Sequence, residues 1–201
     1  MPKIGMEPVR RLALVDAAIS EIGTRGSLDV TVTQIARRAG VSSALAHHYF
    51  GSKENILTAA MRRILSMLAN DLKEAQRGTE TPIERLNAII AANFSDRNFR
   101  ADVIAAWLAF YVRAQTSTDA HRLLKVYHRR LQSNLIHELR PLVGARAESC
   151  SDTIAALIDG FYIRQALRDG SPDGQAATKA ITAYIDDIVK TGGHLRRTSE
   201  R

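Results

Sequence analysis

The sequence is short of several things, and each shortage excludes something. It holds one cysteine in 201 residues, Cys150, so no internal disulfide can form and a cross-linked secreted scaffold is excluded. A reducing cytosol fits that usage. Its longest apolar run, Val103 to Val112, is ten residues, half of what a membrane-spanning helix needs at about 20 residues. The opening MPKIGMEPVRR has no apolar stretch, so no signal peptide is expected. Strand-like alternation is confined to Leu28–Val32, too short to pair. The chemistry-bearing patterns GxxxxGK[ST], HExxH, CxxC, GxSxG and SxxK do not occur, which argues against the corresponding enzymes. His121 and His128 lie seven apart, a poor spacing for a metal pair, and read as solvated side chains.

What is present is ordinary globular composition, 45% apolar and 24% charged, with a net charge of +7 and a pI near 9.9. The excess points to an anionic partner, with nucleic acid the first choice. Its distribution is uneven. Residues 1–53 hold seven Lys/Arg against four acids, or +3, whereas residues 97–146 hold nine against three, or +6. Charge alone therefore does not place a nucleic-acid site.

Helical periodicity runs through nearly the whole chain. Leu12, Val15, Ala18, Ile19 and Ile22 predict a first helix over 9–24, closed by Gly23 and Gly26. Thr31-Val-Thr-Gln34 is a capping box that opens a short helix, which Gly40 ends. Ser42 caps a second short helix to about Phe50, and Ser52 a long one from Lys53 to about Arg77. Pro82 suits the first position of the next helix. Further helices are predicted over 82–95, 100–115, 119–140, 147–169 and 175–191, with Pro141 and Gly144 among the breaks between them.

The segment 31–50, TVTQIARRAGVSSALAHHYF, has the layout of two short helices joined by a glycine turn. Ile35 and Ala36 would face a core, and Val41 and Leu45 would anchor the second helix. Ser42, Ser43, Ala44, His47 and His48 would then face outward, toward a major groove. Free N–H groups at the helix starts, Thr31 and Ser42, suit phosphates. Arg37 and Arg38 read equally well as a solvated face. Arg10 and Arg11 read equally well as a frayed end or a DNA-directed arm.

Residues 9–57, including AGVSSALAHHYFGSKENIL, resemble the DNA-binding head of the TetR family of transcriptional regulators. The opening PKIGMEPVRR, Trp107-Leu-Ala-Phe110, His128-Arg-Arg-Leu-Gln-Ser-Asn-Leu135 and Leu157-Ile-Asp-Gly160 are similar to a narrower group, the choline-responsive repressors of glycine-betaine synthesis genes. The resemblance implies an all-α fold of about nine helices. A three-helix helix-turn-helix head would occupy 1–52, a helical effector-binding and dimerisation domain 53–191, and a flexible basic tail 192–201. It implies that Thr33 and Lys53 contact phosphates. Ser43, Ala44 and His48 would meet base edges or the adjacent backbone, Tyr49 the backbone, and Ser42 would open the recognition helix. Where the family often has a phosphate-contacting tyrosine this chain has His47, so that contact is replaced or lost.

The resemblance also implies a cytoplasmic homodimer on a palindromic operator, with no cofactor and with choline as effector. An unrelated apolar or aromatic effector is the alternative. A quaternary ammonium ion has no N–H to donate, so aromatic faces and a carboxylate must hold it. Eight of the eleven aromatic residues fall between Phe94 and Tyr162. Phe94, Trp107, Phe110, Tyr111 and Tyr162 are candidates for the cage, although aromatics at helical spacing are ordinarily core. Asp159 is the candidate carboxylate, with Asp102 and Glu138 as alternatives. The dimer would use Ile154, Leu157, Ile158, Phe161 and Leu167, then Ala177, Ala180, Ile181, Tyr184, Ile185 and Ile188 on the last helix.

Overall fold

The computed structural model describes the backbone of residues 5–199 and the side chains of residues 5–191. Nine α-helices and one 3-10 turn make up the regular structure of the described residues. They are α1 (Met6–Arg25), α2 (Val32–Arg38), α3 (Ser43–Phe50), α4 (Lys53–Ala75), α5 (Pro82–Asn93), α6 (Ala101–Ala114), α7 (Thr118–Val143), α8 (Ala147–Ala166) and α9 (Gly174–Ser199). The 3-10 turn, Gly144–Arg146, joins α7 to α8. The chain divides into two compact units, Met1–Ser66 with Ala101–Leu124 and Met67–Arg100 with Lys125–Arg201, and the division falls inside α4 and α7. The side chains of 192–201, the expected tail, lie outside the described residues.

The first unit is built on α1. Its apolar stripe Leu14, Ala18, Ile19 and Ile22 is buried, as are Ile35 and Ala36 of α2. The Thr31 capping box forms as its residue types predict. Gln34 N–H donates to Thr31 Oγ1 at 3.2 Å, and Thr31 N–H to Gln34 Oε1 at 2.8 Å. Gly40 takes φ +68°, the left-handed turn between α2 and α3. Two details differ from expectation. Val41 and Leu45 are only half-buried, and the residue that seats α3 is Ala46, wholly buried. Its methyl is small enough for α3 to approach its neighbours closely. Gly23 does not end α1 but lies within it, where a Cβ would collide with Cα and Cβ of Asp102 on α6. The missing side chain lets α1 and α6 meet backbone to backbone, and Gly26, φ +61°, closes the helix instead.

In the second unit Leu86, Ile89, Ile90, Leu135, Leu139, Ile154, Ile158, Ile181 and Ile185 form the core. Thr81 and Glu84 form a second capping box at α5, with Pro82 at its first turn. Pro141 is not the predicted break, because α7 runs through it to Val143. A proline in the last turn removes few helical hydrogen bonds, and the buried Leu139 and Val143 hold that turn in place. Arg85 Nε donates to the buried Glu138 at 2.8 Å, joining α5 to α7.

Candidate functional site: an exposed recognition helix and a buried aromatic cluster

In the first unit, α3 presents Ala44, His47 and His48 to solvent, with Ser42 exposed and Ser43 and Tyr49 half-buried. Ser42 Oγ accepts the Leu45 N–H at 3.2 Å, fixing the start of the helix. Ser43 Oγ donates to Thr33 Oγ1 at 3.3 Å, tying the exposed starts of α2 and α3 together. His47 Nδ1 lies 3.3 Å from the Gly51 carbonyl. Lys53 is the first residue of α4, and Ser52 Oγ accepts the Asn55 N–H at 3.2 Å one turn in. The eight residues predicted to meet DNA thus occupy three consecutive helix starts and one helix face.

Two arginines acquire definite places. Arg11 is not a frayed end, because its guanidinium sits 5.2 Å from the Tyr49 ring centroid and 5.3 Å from that of Phe50. Arg38 Nε donates to the buried Glu21 at 2.6 Å, whereas Arg37 is exposed. The Arg38 hydrogen bond holds the Glu21 carboxyl below its ordinary pKa, against the opposing effect of burial.

The six residues predicted to form the cage divide between the two units. Trp107, Phe110 and Tyr111 lie on α6 in the first. Trp107 and Phe110 are buried, and the Trp107 ring centroid is 6.5 Å from Phe110 and 5.8 Å from Tyr111. Phe94, Asp159 and Tyr162 lie in the second, where the chain adds Phe99. The Phe94 and Phe99 rings meet edge to face at 4.9 Å, Phe99 meets Tyr162 at 4.9 Å, and Phe94 lies 5.9 Å from Tyr162.

The Tyr162 hydroxyl donates to the main-chain carbonyl of Asn93 at 2.7 Å, with that of Asn98 at 3.4 Å. Burial and the Asp159 charge both push the Tyr162 phenol above its ordinary pKa. Burial, then Tyr162 and Asp159, do the same for Tyr127. Of the three candidate carboxylates, Asp159 shares α8 with Tyr162, three residues before it. Glu138 is engaged by Arg85, and Asp102 packs on Gly23.

Phe99 and Tyr127, two of the eight aromatics between Phe94 and Tyr162 but not among the residues expected in the cage, are buried as well, as are Asn93 and Asn98. Tyr127 shares the buried spacing of Leu131 and Leu135 on α7, a signal open to periodicity. Asn93 and Asn98 are buried and each keeps an unmatched side-chain carbonyl oxygen, which no sequence pattern announces.

The residues expected at a dimer interface are partly used within the protomer. Ile154, Ile158, Ala177, Ile181 and Ile185 are buried, whereas Leu157, Phe161, Tyr184 and Ile188 are half-buried and Ala180 and Leu167 are exposed. Ala156, Leu157, Gly160, Phe161 and Arg164 line a shallow open groove along α8. Cys150 is a buried free thiol. No helix among the described residues is long and apolar enough to cross a membrane, and no His/Cys/Asp/Glu group among them could hold a metal.

An exposed second helix after a tight glycine turn, on a three-helix head followed by an all-helical body, defines a helix-turn-helix DNA-binding regulator. Residues 14–60 match the family of bacterial regulatory proteins called tetR, and residues 82–190 match the C-terminal region of BetI-type transcriptional repressors. Two relatives named HTH-type transcriptional regulator BetI bear this out. The one from Brucella melitensis biotype 2 is 55% identical over 92% of this chain and 94% of its own length. The one from Rhizobium meliloti is 48% identical over the full length of both. Solved structures share the fold, among them a Rhodococcus transcriptional regulator (23% identity, 90% of this chain and 96% of that one, TM-score 0.78). Another is a Saccharomonospora viridis chain crystallised in complex with choline (21% identity, 88% and 95%, TM-score 0.77). The chain belongs to the TetR family and is a BetI-type transcriptional repressor, in a family of regulators rather than enzymes.

Proposed function

We propose that this repressor acts as a cytoplasmic homodimer on a palindromic operator of genes that convert choline to glycine betaine, and that choline relieves or modulates repression. The observation that carries the choline reading is the buried ring cluster of Phe94, Phe99 and Tyr162, with Asp159 one helical turn before Tyr162 on α8. A quaternary ammonium ion needs that pairing, since each aromatic face contributes only about 0.5–2 kcal/mol and the charge needs a counter-ion. The BetI relatives and the choline-bound neighbour support the same reading. Phe94, Tyr162 and Asp159, with Phe99, supply faces and charge, and Trp107, Phe110 and Tyr111 are the further candidate faces that the family resemblance implies.

On the DNA side, Thr33 and Lys53 take phosphates, and the helix start at Ser42 offers its N–H groups. Ser43, Ala44 and His48 meet base edges or the adjacent backbone, and His47 and Tyr49 meet the backbone. The remaining apolar surface of α8 and α9 pairs two protomers, which would set two recognition helices about 34 Å apart on successive major grooves. Repression is then governed by linkage, with about 1–3 kcal/mol between effector and operator.

The test is an electrophoretic shift of the upstream region titrated with choline, read beside transcription from the same fragment. Release or altered transcription is the expected result, and unchanged mobility together with unchanged transcription would refute it. A thermal-shift series with choline, betaine aldehyde and flat aromatic compounds separates choline from an unrelated aromatic effector.

A further inference from the structure

The turn between α5 and α6 runs Phe94-Ser-Asp-Arg-Asn-Phe99, and it faces two ways. Its two ends are the aromatic residues of the cluster, in edge-to-face contact with each other and both against Tyr162. Its middle is directed at one residue of α4. Ser95 Oγ donates to Asp71 Oδ2 at 3.2 Å, Asn98 Nδ2 to the same oxygen at 2.9 Å, and Arg97 Nη1 to Asp71 Oδ1 at 3.0 Å.

The turn is also stiff. Asn98 N–H and Phe99 N–H both donate to the Ser95 carbonyl, at 3.0 and 2.8 Å, and Asn98 Nδ2 also donates to the Ala92 carbonyl at 2.9 Å. Tyr162 holds it from the other side through the carbonyls of Asn93 and Asn98. A stiff turn cannot have its aromatic ends displaced without moving its middle.

We propose that Asp71 is the positioning residue through which effector binding at the aromatic cluster is passed to α4. The inference rests on the proposed effector reading and names how that site is regulated. A ligand that wedges between Phe94, Phe99 and Tyr162 shifts the turn. The three donors on the turn then pull on, or let go of, the Asp71 carboxylate. Asp71 lies on the same unbroken helix, α4, that opens with the DNA-side residue Lys53. Three donors on one carboxylate favour a defined geometry over a loose one, and Asp71 is itself largely buried, so the contact is shielded from water and salt. Arg97 adds charge from a largely exposed position, so the two neutral donors carry most of the geometry.

The experiment measures the operator Kd with and without saturating choline, on a duplex selected by the full-length protein from a random pool. The quantity of interest is the ratio of the two. A ratio of about 5–150 is the usual range for such coupling. Asp71→Asn keeps the shape of the side chain but presents an amide in place of one acceptor oxygen. It is expected to bring the ratio to within about two-fold of one, while choline affinity by calorimetry and operator affinity without choline each stay within about three-fold of wild type. The double variant Ser95→Ala/Arg97→Ala breaks the same contact from the turn and is expected to do likewise.

A merely structural Asp71 would lower the melting temperature and leave the ratio unchanged. An unchanged ratio in either variant, in a wild-type protein that does respond, overturns this proposal alone. A wild-type ratio of one with transcription altered by choline also overturns this proposal alone, and a ratio of one with transcription unchanged overturns the choline reading and this proposal with it.

Discussion

Arg38 Nε donates to Glu21 Oε1 at 2.6 Å, so the end of α2 is tied to α1 through a carboxylate that the fold otherwise buries. Arg25 reaches the other oxygen of the same group at 3.4 Å. Arg38→Ala leaves the buried Glu21 with its longer partner only, and is expected to cost about 1–3 kcal/mol of stability at pH 7 in urea unfolding. The Glu21 pKa is lowered in the folded state, so its contribution is present above the ordinary carboxylate pKa and lost as pH falls through the lowered one. The gap between wild type and Glu21→Gln should therefore close on acidification. A gap that stays constant to about pH 2 would assign the stability to packing.

The Arg85–Glu138 pair should show an asymmetry. Glu138 is buried, whereas the Arg85 side chain keeps 30% of its surface exposed. Removing Arg85 strands a charge in the interior, and removing Glu138 returns Arg85 to water. Arg85→Ala is expected to cost about 3 kcal/mol and Glu138→Gln clearly less, measured by chemical denaturation. The reverse order would contradict the placement.

The carboxylate of the aromatic cluster can be tested without touching the rings. Asp159→Asn should weaken choline binding by about ten-fold or more in calorimetry, with operator binding retained. Trp107→Ala tests the α6 faces in the same assay, and wild-type affinity there would remove Trp107 from the site.

Tyr162→Phe keeps the ring and deletes the hydroxyl that satisfies the buried Asn93 and Asn98 carbonyls. It should lower stability by about 1–2 kcal/mol, read from the thermal transition. An unchanged transition would mean that those carbonyls find another donor.

On the DNA face, Lys53→Ala should weaken binding about equally for all duplexes and reduce its salt dependence. His48→Ala should weaken the selected operator more than random DNA. Fluorescence anisotropy on the two duplexes at two salt concentrations separates these outcomes.

Helix positions, both caps at Thr31 and Ser42, the glycine turn at Gly40 and the exposed face of α3 were readable in the amino-acid sequence. Each depends on residues within a few positions of one another, and backbone hydrogen bonding and side-chain period are local physics. The family was legible for the same reason, since its signature lies in one continuous stretch. What local physics could not decide was which side chains from distant segments meet. Gly23 reads as a helix stop until α6 is laid against it. Glu138 reads as a candidate ligand carboxylate until Arg85, 53 residues away, takes it. Asp71 is one acid among several on α4, and only the α5–α6 turn makes it a point where three donors converge. Such pairings are set by how helices pack, and packing is governed by volume and shape summed over the whole core rather than by any short segment.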